Sequence, residues 1–197
     1  TGGCRWGLDN RKFLARPKEQ CIIPSLVSIK GISQKCADKL YKVSQENPSC
    51  KTFFEVWIIL KNATYINKDH IDTLIKLNYF SEFGEINQLL QQVTLFDDLY
   101  GRKTFPMKDI EVLGLSDEDI KSMGGTKTPK QVRNLDNIKL IECMLTRIEY
   151  KKTNLIDVIK YERECLGYMM TRIPDTSPQY ALALDVNKKY PNKVIKL

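Results

Sequence analysis

The sequence holds a single histidine, and its six cysteines (Cys4, Cys21, Cys36, Cys50, Cys143 and Cys165) include no C-x-x-C pair and no His at zinc-ligand spacing. Neither a zinc centre nor a disulfide framework is expected, and a reduced, cytoplasmic protein fits best. No apolar run approaches the roughly 20 residues that a membrane-spanning helix needs. The N-terminus also lacks the basic, apolar and small-residue order of a signal peptide, so no membrane role is expected. There is no phosphate-cradling Gly-x-x-x-x-Gly-Lys-Ser/Thr loop, no cluster of carboxylates at metal spacing and no pattern of nucleophile, base and acid. Catalytic residues and bound metals are therefore not expected within this chain. His70, the lone histidine, falls in the first turn of an expected helix and reads as a surface or capping group.

What the chain does carry is positive charge in one place. It has 197 residues, 42% of them hydrophobic, and a formal net charge of +7, enough to bury a core and to suit a polyanionic partner. Residues 1 to 40 hold eight Lys or Arg against three acids, a net +5. Within them, Ser25 to Val43 reads as a helix-hairpin-helix. Leu26 and Ile29 finish a short helix, Gly31 tolerates positive φ, Ile32 tucks back, and Ser33 caps a helix whose apolar stripe is Cys36, Ala37, Leu40 and Val43. Amides around Gly31 to Lys35 would face outward at a helix N-terminus, where the dipole and the flanking Lys30 and Lys35 favour an anion. The same pattern also serves as a plain packing corner; the surrounding charge tilts the reading towards phosphate.

The remaining elements follow from caps and periodicity. Arg11 to Ala15 and Cys21 to Ile23 are short extended candidates in an N-terminal arm or hairpin. Thr52 and Glu55 form a capping box for a helix with Phe53, Val56, Trp57 and Leu60 on its buried side; Trp57 on that stripe is a core residue before it is a base-stacking one. Asn67 caps a helix from Lys68 to Leu77, and Asn78 can take the left-handed conformation that ends it. A helical stripe runs from Ile86 to about Tyr100. Residues 101–130 are punctuated by Gly and Pro, with a short helix capped at Ser116. Its turn, Leu113-Gly114-Leu115-Ser116, looks like another hairpin, but Asp117, Glu118 and Asp119 would repel a phosphate. Val132, Leu135, Ile138, Leu145 and Ile148 mark a longer helix, and another runs from about Leu155 to Met169 after Thr153 or Asn154. Residues 180–184 and 193–197 read as two strands, the second unfinished.

In order, these motifs resemble a known family. Ile29-Lys30-Gly31-Ile32-Ser33-x-Lys35-x-Ala37, followed by Phe53-Phe54 and Trp57, resembles the hairpin and next helix of the family C bacterial replicative DNA polymerases, the DNA polymerase III α subunits. Ile66-Asn67-Lys68-x-x-Ile71-x-x-Leu74-Ile75-Lys76-x-x-x-Phe80 is similar to that family's second segment. Tyr161 to Met169, followed by Pro174, is similar to the segment that precedes its oligonucleotide-binding (OB) domain. Ser33 stands where the second hairpin Gly is expected, Asn78 and Ser81 replace a Gly and an Asp, and Arg172-Ile173 replace Gly-His. Residues 101–130 have no counterpart, which marks a divergent member of the kind carried by phages or mobile elements.

The expected fold is thus mainly α. It comprises a basic extended arm (1–24), a tandem helix-hairpin-helix DNA-binding domain (25–100), the Gly/Pro-punctuated insertion (101–130), a helical segment (131–175) and the start of an OB-like β region (176–197). The resemblance implies that polymerase carboxylates and their Mg2+ lie upstream, and that this region grips template-primer duplex without reading bases. Lys30, Gly31, Ile32, Ser33, Gln34, Lys35 and Lys68 are the expected phosphate-binding residues. No cofactor is expected in this chain beyond a monovalent cation, which can sit among the hairpin carbonyls of such motifs. The family also binds a sliding clamp through a Gln-x-x-Leu/Met-Phe peptide, which Gln92, Leu95 and Phe96 fit, although Val93 and Phe96 equally continue the stripe of a core helix. The alternative to DNA binding is a helical protein-interaction module, a clamp or replisome adaptor.

Overall fold

The computed structural model describes residues 3–16 and 21–171. The expected strands at 180–184 and 193–197, the Arg172 to Pro174 segment and the OB-like region lie outside the described residues. Among those described there are eight α-helices, one 3-10 turn and two small sheets, so the protein is mainly α. No helix among them is long and apolar enough to cross a membrane. The chain divides into two compact units, and the division runs through the stretch 25–100.

The first unit comprises the described residues of Thr1–Pro48, Ala63–Phe80 and Thr153–Leu197. Strands β1 (Leu14–Arg16) and β2 (Cys21–Ile23) pair antiparallel with Leu14 opposite Ile23. The arm that carries them is tied down. The Trp6 amide donates to the Tyr79 carbonyl at 3.0 Å, and the Trp6 ring meets Tyr79 edge-on and Phe80 at 5.9 Å. Buried Asn10 donates through Nδ2 to the carbonyls of Arg5 and Leu8. The expected first helix of the hairpin is only one 3-10 turn, Leu26–Ser28. Helix α1 (Gln34–Glu46) follows, with Ser33 Oγ accepting from the Cys36 amide and Cys36, Ala37, Leu40 and Val43 buried. Helix α3 (Lys68–Lys76) is capped by Asn67 and followed by Asn78 at φ +61°. Helix α8 (Leu155–Leu166), capped by Asn154, stops at Gly167 with φ +87°, short of the expected Met169. The left-handed glycine ends it.

The second unit comprises Ser49–Asn62 and Ser81–Lys152. Helix α2 (Phe53–Lys61) opens at the expected Thr52–Glu55 capping box. Helix α4 (Ile86–Leu99) packs on it through an aromatic cluster: the Phe96 ring lies 4.8 Å from Phe54 and 5.2 Å from Trp57, and Tyr100 meets Trp57 edge-on. Residues 101–136 are more regular than their glycines and prolines suggest. Strands β3 (Thr104–Pro106), β4 (Thr126–Lys127) and β5 (Gln131–Arg133) form an antiparallel sheet in the order β3-β5-β4. Helices α5 (Met107–Val112) and α6 (Asp117–Ser122) join its strands. Phe105 and Val132 sit opposite each other in register, both fully buried.

Helix α7 runs only from Asn137 to Leu145, capped by Asp136. The longer helix expected from Val132 to Ile148 is therefore corrected. Val132 belongs to β5, Asn134 takes φ +60°, and Ile138 is exposed. A spacing of three between Val132, Leu135 and Ile138 imitated a helical stripe across a strand, a turn and a helix start.

Candidate nucleic-acid interface

The hairpin forms as its residues dictate. Ile29 and Ile32 are buried, and Gly31 turns the chain between them at φ +84°, where a Cβ would meet no neighbour but would be strained by the backbone alone. The Ile32 amide donates to the Ile29 carbonyl at 3.1 Å, and the Lys30 amide donates to the Cys165 carbonyl in the last turn of α8 at 2.9 Å. Both amides are consumed inside the protein. The Ile32 amide, expected to face phosphate, instead closes the turn, because a buried isoleucine beside a reversed chain leaves its N–H pointing inward.

Four amides remain open. Among the described residues, those of Gly31, Ser33, Gln34 and Lys35 have no hydrogen-bond acceptor, and all four residues are exposed. This is not the general condition of helix starts in the molecule. Helices α2, α3, α4 and α6 close with reciprocal capping boxes. Moreover, every α-helix among the described residues except α1 has an Asp or Glu at its N-cap or in its first turn. Helix α1 has none. Its N-terminal half-charge of about +0.5 is therefore left without a carboxylate.

Formal charge surrounds these amides. Lys30 and Lys35 are exposed and have no ion pair among the described residues; Lys35 Nζ lies 5.6 Å over the ring of exposed Tyr65. Lys30 passes the C-terminal end of α8, where a Cβ at Gly167 would meet its Cε at 3.9 Å. The nearest acid on α1, Asp38, lies one turn in, accepts from Gln34 Nε2 at 3.0 Å and has Arg11 at 3.9 Å. Arg11 is otherwise engaged, with Asp9 at 2.7 Å and the Tyr41 ring at 4.3 Å. Its hydrogen bond holds Asp9 down at about 2.

The start of α3 is brought beside the first turn of α1 by His70, whose Nδ1 accepts from the Asn67 amide at 3.2 Å and lies 3.6 Å from Cys36 Sγ. Burial pushes the Cys36 thiol up to about 11. His70 thus completes a cap, as its position suggests. Exposed Lys68 opens α3 on this side, but the Asn67 amide is occupied and Asp69 follows. The start of α3 is therefore not a second open cradle.

The other singled-out residues are packed elsewhere. Phe96 is fully buried and Gln92 and Leu95 are half-buried, so the Gln-x-x-Leu-Phe pattern of α4 serves as core helix. Trp57 is buried beneath Lys61, whose Nζ stands 4.4 Å over its ring. Among the described residues no three His, Cys, Asp or Glu side chains are placed to hold a metal. Tyr65 beneath Lys35 escaped sequence reasoning, and its place just ahead of the Asn67 cap is the only signal it gives.

No protein-family model matches the chain, and no curated protein matches it. The resemblance to family C polymerases accordingly rests on the order of motifs alone.

Proposed function

We propose that the turn from Ile29 to Lys35 binds the sugar-phosphate backbone of duplex DNA without reading sequence. The observation that carries this reading is the set of open amides at Gly31, Ser33, Gln34 and Lys35, on the one α-helix start among the described residues with no acid, between two exposed lysines. Backbone N–H groups and a helix dipole recognise a phosphate oxygen and cannot tell one base from another. In a protein related to the DNA polymerase III α subunit, such a turn would hold template-primer duplex behind the active site during replication, in the cytoplasm. Lys68 would contribute a further phosphate contact.

Fluorescence anisotropy with two duplexes of unrelated sequence, each at two salt concentrations, tests this. Similar affinity for both, a steep loss with salt, and a slope reduced by about one for Lys35→Ala are expected. Binding that ignores salt or is absent would instead favour a protein-interaction module.

A further inference from the structure

We infer that the cleft beside this turn holds an unpaired nucleotide, so that the preferred ligand is a duplex carrying a single-stranded extension. The inference rests on the backbone-binding reading above. The cleft measures about 630 Å³ and lies between the stretch from Asp9 to Leu14 and the first two turns of α1, where Gln34 and Asp38 line it. That volume suits a small organic ring system.

Three observations select a nucleobase with its phosphate. Phe13 is 63% exposed at the cleft, a large aromatic face left in water where a base can stack whatever its identity. Lys12 beside it is exposed and has no ion pair among the described residues, which supplies one phosphate contact. The interior charge, by contrast, is net negative: Arg11 is paired with Asp9 at 2.7 Å and stands 3.9 Å from Asp38, one cation against two carboxylates. Among the described residues no second unpaired cation lines the cleft, whereas carboxylate oxygens and the Gln34 amide offer acceptors and donors to the edge of a base. Gln34 joins the two sites. Its backbone amide is one of the four open at the turn, and its side chain, held by Asp38 at 3.0 Å, forms a cleft wall. A strand with a phosphate on that amide therefore meets the cleft at its Gln34 side.

The test compares three ligands on the whole chain by anisotropy: a blunt duplex, and the same duplex with a short extension at the 3′ or the 5′ end. One extended form is expected to bind about tenfold tighter than the blunt one. Phe13→Ala should abolish that gain and leave blunt binding unchanged, and Phe13→Trp should retain it. In parallel, 2-aminopurine at the first unpaired position should lose fluorescence on binding the unaltered protein, a readout independent of any variant. Equal binding of all three ligands, an unquenched probe, or a Phe13→Ala loss equal on blunt and extended forms would overturn the inference while leaving the backbone reading intact. Failure of the blunt duplex to bind would overturn both.

Discussion

At Ile29–Ser33 in one unit and Leu113–Ser116 in the other, the chain turns through a similar order of residues, the first turn one residue longer and extended at Ile29 where Leu113 is helical. A short helical segment ends at an apolar residue, a glycine at φ +84° or +61° reverses the backbone, an apolar residue follows, and a serine caps the next helix through its hydroxyl. The difference that bears on a phosphate is electrostatic. At the second turn Asp119 reaches back to accept from both the amide and the hydroxyl of Ser116 at 2.9 Å, Asp117 and Glu118 precede it in the first turn, and Arg147 donates to the carbonyls of Leu113 and Gly114. That turn satisfies itself. At the first turn the third helical residue is Cys36, whose side chain cannot close the box, and the Ser33 amide stays open. Similar residue orders thus give a self-satisfied corner where the helix begins with acids, and open amides suited to an anion where it does not.

Making the first turn electrostatically like the second should have the largest effect. Gln34→Glu with Lys35→Glu places two acids in the first turn of α1, which favours the helix through its dipole while opposing phosphate. Duplex affinity at low salt is expected to fall roughly a hundredfold with the circular dichroism spectrum unchanged. A loss of helix signal alongside the loss of binding would mean that the residues act through folding.

The glycines sharpen the same contrast. Gly31→Ala and Gly114→Ala each force a side chain into left-handed backbone, with open space at Gly31 and only ordinary contact, 3.6 Å to Arg147 Nη1, at Gly114. Each should cost about 1 kcal/mol in urea unfolding. Only Gly31→Ala should also weaken DNA binding; equal effects of the two on binding would erase the distinction drawn here.

The smallest effect is a pH dependence confined to the second turn. The Ser116 amide, then its hydroxyl, hold the Asp119 carboxyl below the usual carboxylate range. A carboxyl depressed in the folded state contributes stability above its unfolded value and loses it as pH falls through the folded one. Protection of the Ser116 amide from hydrogen exchange, corrected for intrinsic rate, should therefore decline on acidification, and Asp119→Ala should remove the decline. The Ser33 amide should be poorly protected throughout.

Much of this contrast was legible in the sequence because capping is local. Ser33, Thr52 with Glu55, Asn67 and Ser116 stand within a few residues of the groups they satisfy, and the acids that disqualify the second turn are its neighbours. What could not be read involves long separations or very short elements. The Lys30 amide is spent on Cys165, far along the chain, and no local pattern announces it. The sheet of β3, β5 and β4 has strands of two or three residues, too short to show alternation, and its core pair, Phe105 and Val132, meets only after the chain has passed through two helices. Phe96 illustrates the reverse case: the Gln-x-x-Leu-Phe spacing fitted a docking peptide and a helix stripe equally, and the aromatic cluster of Phe53, Phe54 and Trp57 shows which one the side chain serves.

The most direct test observes the four amides themselves. In a backbone NMR experiment with a blunt duplex added stepwise, the signals of Gly31, Ser33, Gln34 and Lys35 should shift most, with little change at Gly114 to Glu118. Shifts concentrated at the second turn, or signals at the first turn that stay in place while DNA binds elsewhere, would contradict the claim that unsatisfied main-chain donors at the start of α1 hold the phosphate.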